Sequence, residues 1–250
     1  MMRKVSILFF MLVAAVAHAQ NPAQKPAQKP AQKSGQAVPS QDQTQQQVDR
    51  LTEHFVRKNS LANRWNDAEV SRGALYDLIA EYPGNDSLIY ALALDYYNNQ
   101  KYISCVLIAQ DLLTRNPKNV DVLQMAASGF EALNLNDKAL TNYESLYLQT
   151  NNSGALYKMA FLQYELKKFV ESQTNVDILL TKPDIETMKV TLRDSENKQK
   201  DFPFKVSLLN LKGLLAQHAG DKAGAKKAFE ESLAMAPDFP LAKQNLAKLK

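Results

Sequence analysis

Residues 206–240, VSLLNLKGLLAQHAGDKAGAKKAFEESLAMAPDFP, hold two apolar-periodic segments split by a polar turn at Gly220, Asp221 and Lys222. Leu208, Leu209, Leu211, Leu214 and Leu215 recur at intervals of one, three and four, which marks one face of a helix. Ala225, Ala228, Phe229, Ser232 and Leu233 do the same on the other side of the turn. Small residues (Gly213, Ala216, Ala225) fall among the large ones, so the two helices are expected to approach closely and interlock. Upstream the arrangement recurs on a fixed beat. Pro83, Pro117 and Asn151 are evenly spaced, each followed by a polar run. A constant period of this length predicts stacked helical units rather than one closed globule.

The units differ in regularity. Residues 48–58 predict a first helix with Val48, Leu51 and Phe55 on one face, followed by a long connection over 59–65. Asn66 or Asp67 is placed to cap a second helix with Val70, Ala74, Leu75, Leu78 and Ile79 inward, and Trp65 is expected to pack over this end. Next come Ile89, Leu92, Ala93 and Tyr96 with Cys105, Ala109 and Leu112, then Leu123, Ala126, Ala127 and Phe130 with Ala139, Tyr143 and Leu146. A fourth unit opens on Tyr157, Ala160, Phe161 and Tyr164, but Gln173 and Asp177 break the pattern of its second helix.

The beat then slips, because Pro183 and Pro237 stand much further apart than one period. Between them, residues 188–193 alternate strictly, a polar turn follows at 194–197, and a second stretch runs into Phe202-Pro203-Phe204. Alternation on both sides of a polar turn predicts a β-hairpin, with Pro203 at a strand end or edge. A lone hairpin is marginal in water, so its apolar side is expected to lie on neighbouring helices. Residues 238–250 predict a last helix with Leu241, Leu246 and Leu249 inward and lysines outward, a solvating cap.

The run Leu209-x2-Lys212-Gly213-x2-Ala216, then Ala225-x3-Phe229, then Pro237 resembles the tetratricopeptide-repeat signature Trp-x2-Leu-Gly-x2-Tyr, Ala-x3-Phe, Pro. Leu209, Lys212 and Ala216 stand where the signature has Trp, Leu and Tyr, and Ala139-x3-Tyr143 is the second element with an aromatic exchange. The resemblance covers residues 48–250. It implies an all-α, TPR-type α-solenoid of about five helix-turn-helix units, with a β-hairpin insertion at about 187–204 and a C-terminal capping helix.

The N-terminus reads differently. Arg3 and Lys4 precede an apolar run over 5–17 and an Ala17-His18-Ala19 exit, the form of a secretory signal peptide over 1–19. The run is shorter than the roughly 20 residues of a membrane span. After the leader is removed no integral membrane segment is expected, and the periplasm is the expected compartment. Residues 20–47, with Pro-Ala-Gln-Lys repeated and then a Gln-rich run, predict a disordered linker. The formal net charge is +4, and about +2 without Arg3 and Lys4. So near-neutral a chain gives no case for a nucleic-acid partner. Cys105, the single cysteine, is expected to be a buried small residue rather than a reactive thiol.

Catalytic chemistry is sparse. Apart from His18 in the leader, the histidines are His54 and His218, in different repeats, and no phosphate-binding glycine loop occurs. Neither catalysis nor a cofactor is expected. The resemblance implies instead a concave groove for a protein or peptide partner, lined by first helices. By position these are Tyr90, Leu94, Tyr97 and Asn98; Gln124, Ser128 and Glu131; Lys158, Leu162 and Glu165; Asn210, Leu214 and Gln217. Met188, Val190, Leu192, Phe202 and Phe204 form a second candidate contact surface on the hairpin. The expected function is a non-catalytic interaction scaffold of the bacterial cell envelope. A periplasmic chaperone is the alternative, and self-association through the repeat ends a third possibility.

Overall fold

The computed structural model describes residues 41–193 and 198–249. The expected leader, residues 20–40 of the expected linker and the hairpin turn at 194–197 lie outside them. Ten helices form five antiparallel pairs: α1 (Gln41–Arg64) with α2 (Ala68–Glu81), α3 (Asp86–Asn98) with α4 (Tyr102–Arg115), α5 (Val120–Ala132) with α6 (Asn136–Thr150), α7 (Ser153–Glu165) with α8 (Phe169–Thr181), and α9 (Phe204–His218) with α10 (Lys222–Met235). An eleventh, α11 (Pro240–Lys248), ends the stack. Between α8 and α9 lie a 3-10 turn, Pro183–Glu186, and a hairpin of β1 (Lys189–Arg193) and β2 (Gln199–Pro203). The described residues form an α-solenoid of five units with one β-insertion.

Each pair closes through the same turn. Asn66, Gln100, Asn134, Lys167 and Gly220 all adopt positive φ, between 56° and 81°. Just after each, a backbone N–H reaches back toward the preceding helix: Asp67 to the Ala62 carbonyl, Lys101 to Tyr96, Leu135 to Phe130, Lys168 to Gln163 and Asp221 to Ala216, at 2.8–2.9 Å. This Schellman closure satisfies carbonyls that the helix end would leave orphaned. Left-handed backbone costs a non-glycine residue roughly 1 kcal/mol, and each bond of the closure returns about as much.

Inside each pair the helices meet at two small side chains twelve residues apart. Ala93 faces Cys105, Ala127 faces Ala139, Ala160 faces Ser172 and Gly213 precedes Ala225, all of them buried. Gly213 has no alternative there, because a Cβ on it would collide with the Phe229 ring. In the fourth pair Ser172 Oγ donates to the Ala160 carbonyl at 2.7 Å, so the hydroxyl is tolerated inside. The first pair uses a polar version: the Asn59 amide donates to the Ser71 carbonyl and hydroxyl. Ser172 and Val176, not Gln173 and Asp177, occupy the fourth pair's slots, and both are fully buried. The beat shortens there by one residue, since the step from Asn134 to Lys167 is smaller than that from Gln100 to Asn134.

The first and last units depart from expectation. Helix α1 starts at Gln41, inside the expected linker, and continues to Arg64, over nearly all of the expected connection at 59–65. No Gly or Pro interrupts this stretch, and Asn59 and the buried Ala62 carry its inward face onward. Trp65 does not cover the end: it is 70% exposed, and Val70 and Phe161 are exposed too. Helix α11 seats itself on Ala242, leaving Leu241 exposed. Between units one and two, Arg72 Nε donates to Asp95 Oδ2 at 2.7 Å with its guanidinium over the Tyr96 ring, a nearly buried cross-tie.

The hairpin pairs Val190 with Phe202 and Leu192 with Lys200. Its apolar side is turned into the protein. Phe202 packs edge-to-face on Phe239 with Val206, Ala236 and Ala242 around it, and Val190 and Leu192 close over this cluster. Met188 lies on the main core, and Phe204 is buried in it beside the Tyr157 ring. Lys200 ties the hairpin to Asp238. The hairpin residues expected to form a contact surface are therefore internal packing. Phe202 and Phe204, at 2% and 3% exposure, are closed to any partner in this conformation.

Lys167 and Gln100 hold positive φ without the short side chain of Asn134, whose amide lies close enough to bond its own backbone and ease that conformation. Lys167→Gly and Gln100→Gly are each expected to raise stability by roughly 0.5–1 kcal/mol, and Asn134→Gly by less. Urea midpoints at unchanged m value measure this.

Candidate functional site

The first helices of units two to four bring Tyr97, Gln124, Ser128, Glu131 and Lys158 around one concavity of about 550 Å³. Their spacing explains the convergence. Gln124, Ser128 and Glu131 lie four and three residues apart on α5, so they share one face. Tyr97 enters from the end of α3, and Lys158 from α7. The rest of the wall comes from Ala132, Tyr143 of α6, and the start of α7 at Asn152, Gly154 and Ala155. Asn152 is held rigidly there, its side chain accepting from the Ala155 N–H at 3.0 Å.

Glu131 organises the polar groups. Tyr143 donates its hydroxyl to Glu131 Oε2 at 2.9 Å, and Lys158 Nζ donates to Oε1 at 2.6 Å, so one carboxylate ties α5 to both α6 and α7. The Tyr143 hydroxyl also lies 3.4 Å from Ser128 Oγ, which accepts from Gln124 Nε2 at 3.0 Å. Burial, reinforced by the Glu131 charge, pushes the Tyr143 phenol well above its ordinary pKa against the opposing effect of Ser128. Burial raises Tyr97 as well, again opposed by a Ser128 hydrogen bond. Both therefore present neutral hydroxyls at physiological pH. The Glu131–Lys158 pair neutralises its own charge and leaves the other side chains to offer amide and hydroxyl groups.

The remaining candidates fall elsewhere. Tyr90 and Leu94 are half-buried against the cluster around Cys105 and Met125. Asn98, Glu165 and Gln217 are exposed and Leu214 half-buried, all apart from the concavity. Two assignments are overturned. Leu162, 4% exposed, belongs to the main core. The step between the caps Asn119 and Asn152 is one residue shorter than that between Asn85 and Asn119, so Leu162 matches buried Gly129 rather than Ser128. Asn210 is equally buried and accepts from Asn245 Nδ2 of α11 at 2.9 Å. Tyr143, absent from the positional assignment, is signalled by Ala139-x3-Tyr143, since a hydroxyl on a core ring needs a polar destination.

Among the described residues no three His, Cys, Asp or Glu side chains group as metal ligands. Burial raises the Cys105 thiol to about 11, so it is protonated and unreactive at neutral pH. No described helix is long and apolar enough to cross a membrane.

Tyr143 ionises more readily unfolded than folded, so its contribution is complete below about pH 10 and falls as pH rises beyond it. Tyr143→Phe is expected to flatten the loss of stability between about pH 10 and 11, measured by urea unfolding across that interval. A profile as steep as that of the parent protein would contradict the assignment.

No protein-family model matches the sequence, and no curated protein matches it. Solved structures do. A tetratricopeptide repeat protein from Parabacteroides merdae ATCC 43184 superposes at TM-score 0.60 with 18% identity, covering 80% of this chain and 72% of its own. YrrB, a TPR protein with an unusual peptide-binding site, gives 0.60 at 12% identity over 78% and 90%. MamA gives 0.58 at 10% identity over 79% and 94%. With five helix pairs joined by the same turn on a nearly constant beat, the chain has the tetratricopeptide-repeat fold.

Proposed function

We propose that the protein is a non-catalytic scaffold that holds an extended segment of a partner protein in the concavity between α3, α5 and α7. The observation that carries this is the convergence of Tyr97, Gln124, Ser128 and Lys158 on one open space of about 550 Å³. That volume lies in the range of ligand sites. Amide and hydroxyl groups pair with the backbone N–H and C=O of an extended chain, and the tyrosine rings supply contact area at small entropic cost. The peptide-binding site ascribed to YrrB, a protein of the same fold, is in keeping with this use. Polar side chains outnumber apolar ones around the space, which favours a defined segment over the greasy, unselective surface of a chaperone. With the hairpin's apolar side turned inward, the groove is the better placed of the two candidate surfaces.

The proposal sets this scaffold in the periplasm, on the strength of the basic head, short apolar run and Ala17-His18-Ala19 of the leader. N-terminal sequencing of the protein from fractionated cells is expected to begin at Gln20. An intact Met1 in the cytoplasmic fraction would reverse the location.

The groove is tested by photo-crosslinkers at Gln124, at Thr191 on the hairpin's polar side, and at Leu107 on an exposed face of α4 as control. One recurring protein is expected from position 124 alone, reduced at least about tenfold by Tyr97→Ala with Lys158→Ala. Capture from position 191 only would move the function to the hairpin. Many unrelated chains from 124 would favour the chaperone.

A further inference from the structure

A solenoid leaves one face of its first helix without a preceding unit, and in α1 that face has a pattern of its own. Thr52, Phe55, Asn59 and Ala62 turn toward α2. On the adjoining outward side Leu51, His54, Leu61 and Trp65 share one stripe of the helix, while Lys58 at the same register reaches across to Asp77 Oδ2 of α2 at 3.0 Å. Leu51, Leu61 and Trp65 are 38%, 43% and 70% exposed. Along one border run Arg50, Arg57 and Arg64, each seven residues from the next and all exposed. Glu53 steadies Arg57 within the helix, and the border stays net positive. A 3-4 seam with charge along its edge is the arrangement one helix offers another.

Charge selects the occupant. Residues 1–40 contain no Asp or Glu and carry Lys25, Lys29 and Lys33, so this chain's own N-terminal segment cannot complement the arginines. A second copy fares no better. Laying α1 on α1 sets arginine borders against each other, and laying it on α11 meets Lys243 and Lys248 on a helix without a carboxylate. An anionic bilayer would neutralise the border, but it needs a broad apolar face, and His54 and Lys58 interrupt this narrow one. We propose that the outward face of α1 docks an amphipathic helix of another protein, with its apolar seam bordered by Asp or Glu. The site is separate from the groove, so one molecule can hold two partners.

Trp65 is the chain's single tryptophan and lies in the seam, so its emission reports occupancy directly. The probe is a three-heptad synthetic helix with leucines in its seam and glutamates along its borders, compared with the same peptide carrying lysines. With the full chain, the Glu-bordered peptide is expected to produce a saturable blue shift of emission and to bind at least about tenfold tighter than the Lys-bordered one. Arg50→Glu with Arg64→Glu is expected to invert that preference while circular dichroism stays unchanged. The proposal is overturned if the Glu-bordered peptide leaves the emission unmoved, or if both peptides act equally on the parent protein. It is overturned too if vesicles of phosphatidylglycerol produce the shift in place of the peptide. A shift that grows with protein concentration alone would likewise sink it, by assigning the face to a second copy.

Discussion

Helix pairs stack here because two small side chains, twelve residues apart in sequence, let the backbones of each pair come close. Ala93 with Cys105, Ala127 with Ala139, and Ala160 with Ser172 fill the same place in successive units, each fully buried. Close approach has a strict upper size, since an added methylene in a packed interior costs about 1–3 kcal/mol. Gly213 shows the limit, because the Phe229 ring already takes the space a Cβ would need. The Schellman turn between the helices sets their separation, and the small pair sets their depth of contact. Everything else, including which first-helix residues face the concave side, follows from repeating those two constraints.

The groove depends on the repetition being imperfect. Were every step equal to the one between Asn85 and Asn119, Lys158 would repeat Gln124 and Leu162 would repeat Ser128. The shorter step between Asn119 and Asn152 shifts α7 by one residue, burying Leu162 in the core. Lys158, at 42% side-chain exposure, still reaches Glu131 because its long stem spans the misalignment. Glu131 consequently accepts from two neighbouring helices, and the concavity has a rigid polar wall where a regular array would have repeated itself.

The same irregularity divides what was legible in the sequence from what was not. Repeat number and the hairpin are readable, since Pro83, Pro117 and the alternation over 188–193 are local signals. The register of α8 was hidden, for a one-residue deletion leaves no mark beyond exchanging Gln173 for Ser172 in a slot both could fill. The full length of α1 is hidden because a Gln-rich stretch resembles linker by composition, and its inward face is continued by Asn59 and Ala62, neither a strong hydrophobic signal. Tyr143 looked like core and is core, and its role in the groove lies in one oxygen atom. The burial of Asn210 leaves no local signal, because its covering residue, Asn245, comes from a helix that belongs to no complete repeat.

The two ends of the stack are treated oppositely. At the C-terminal end α11, the hairpin and the Phe202–Phe239 contact enclose the last unit, and Asn245 satisfies Asn210. Helix α11 packs on the last pair where a further unit would stack, and a hairpin too small to be stable alone gains stability from the helices it covers. At the N-terminal end no such cover is present among the described residues: Trp65 and Leu61 remain exposed, and the first pair uses hydrogen bonds between Asn59 and Ser71 where later pairs use alanine. An array that can grow by unit stacking needs both end faces open. Covering one of them with material unlike the repeats leaves the outer side of α1 as the more exposed end among the described residues.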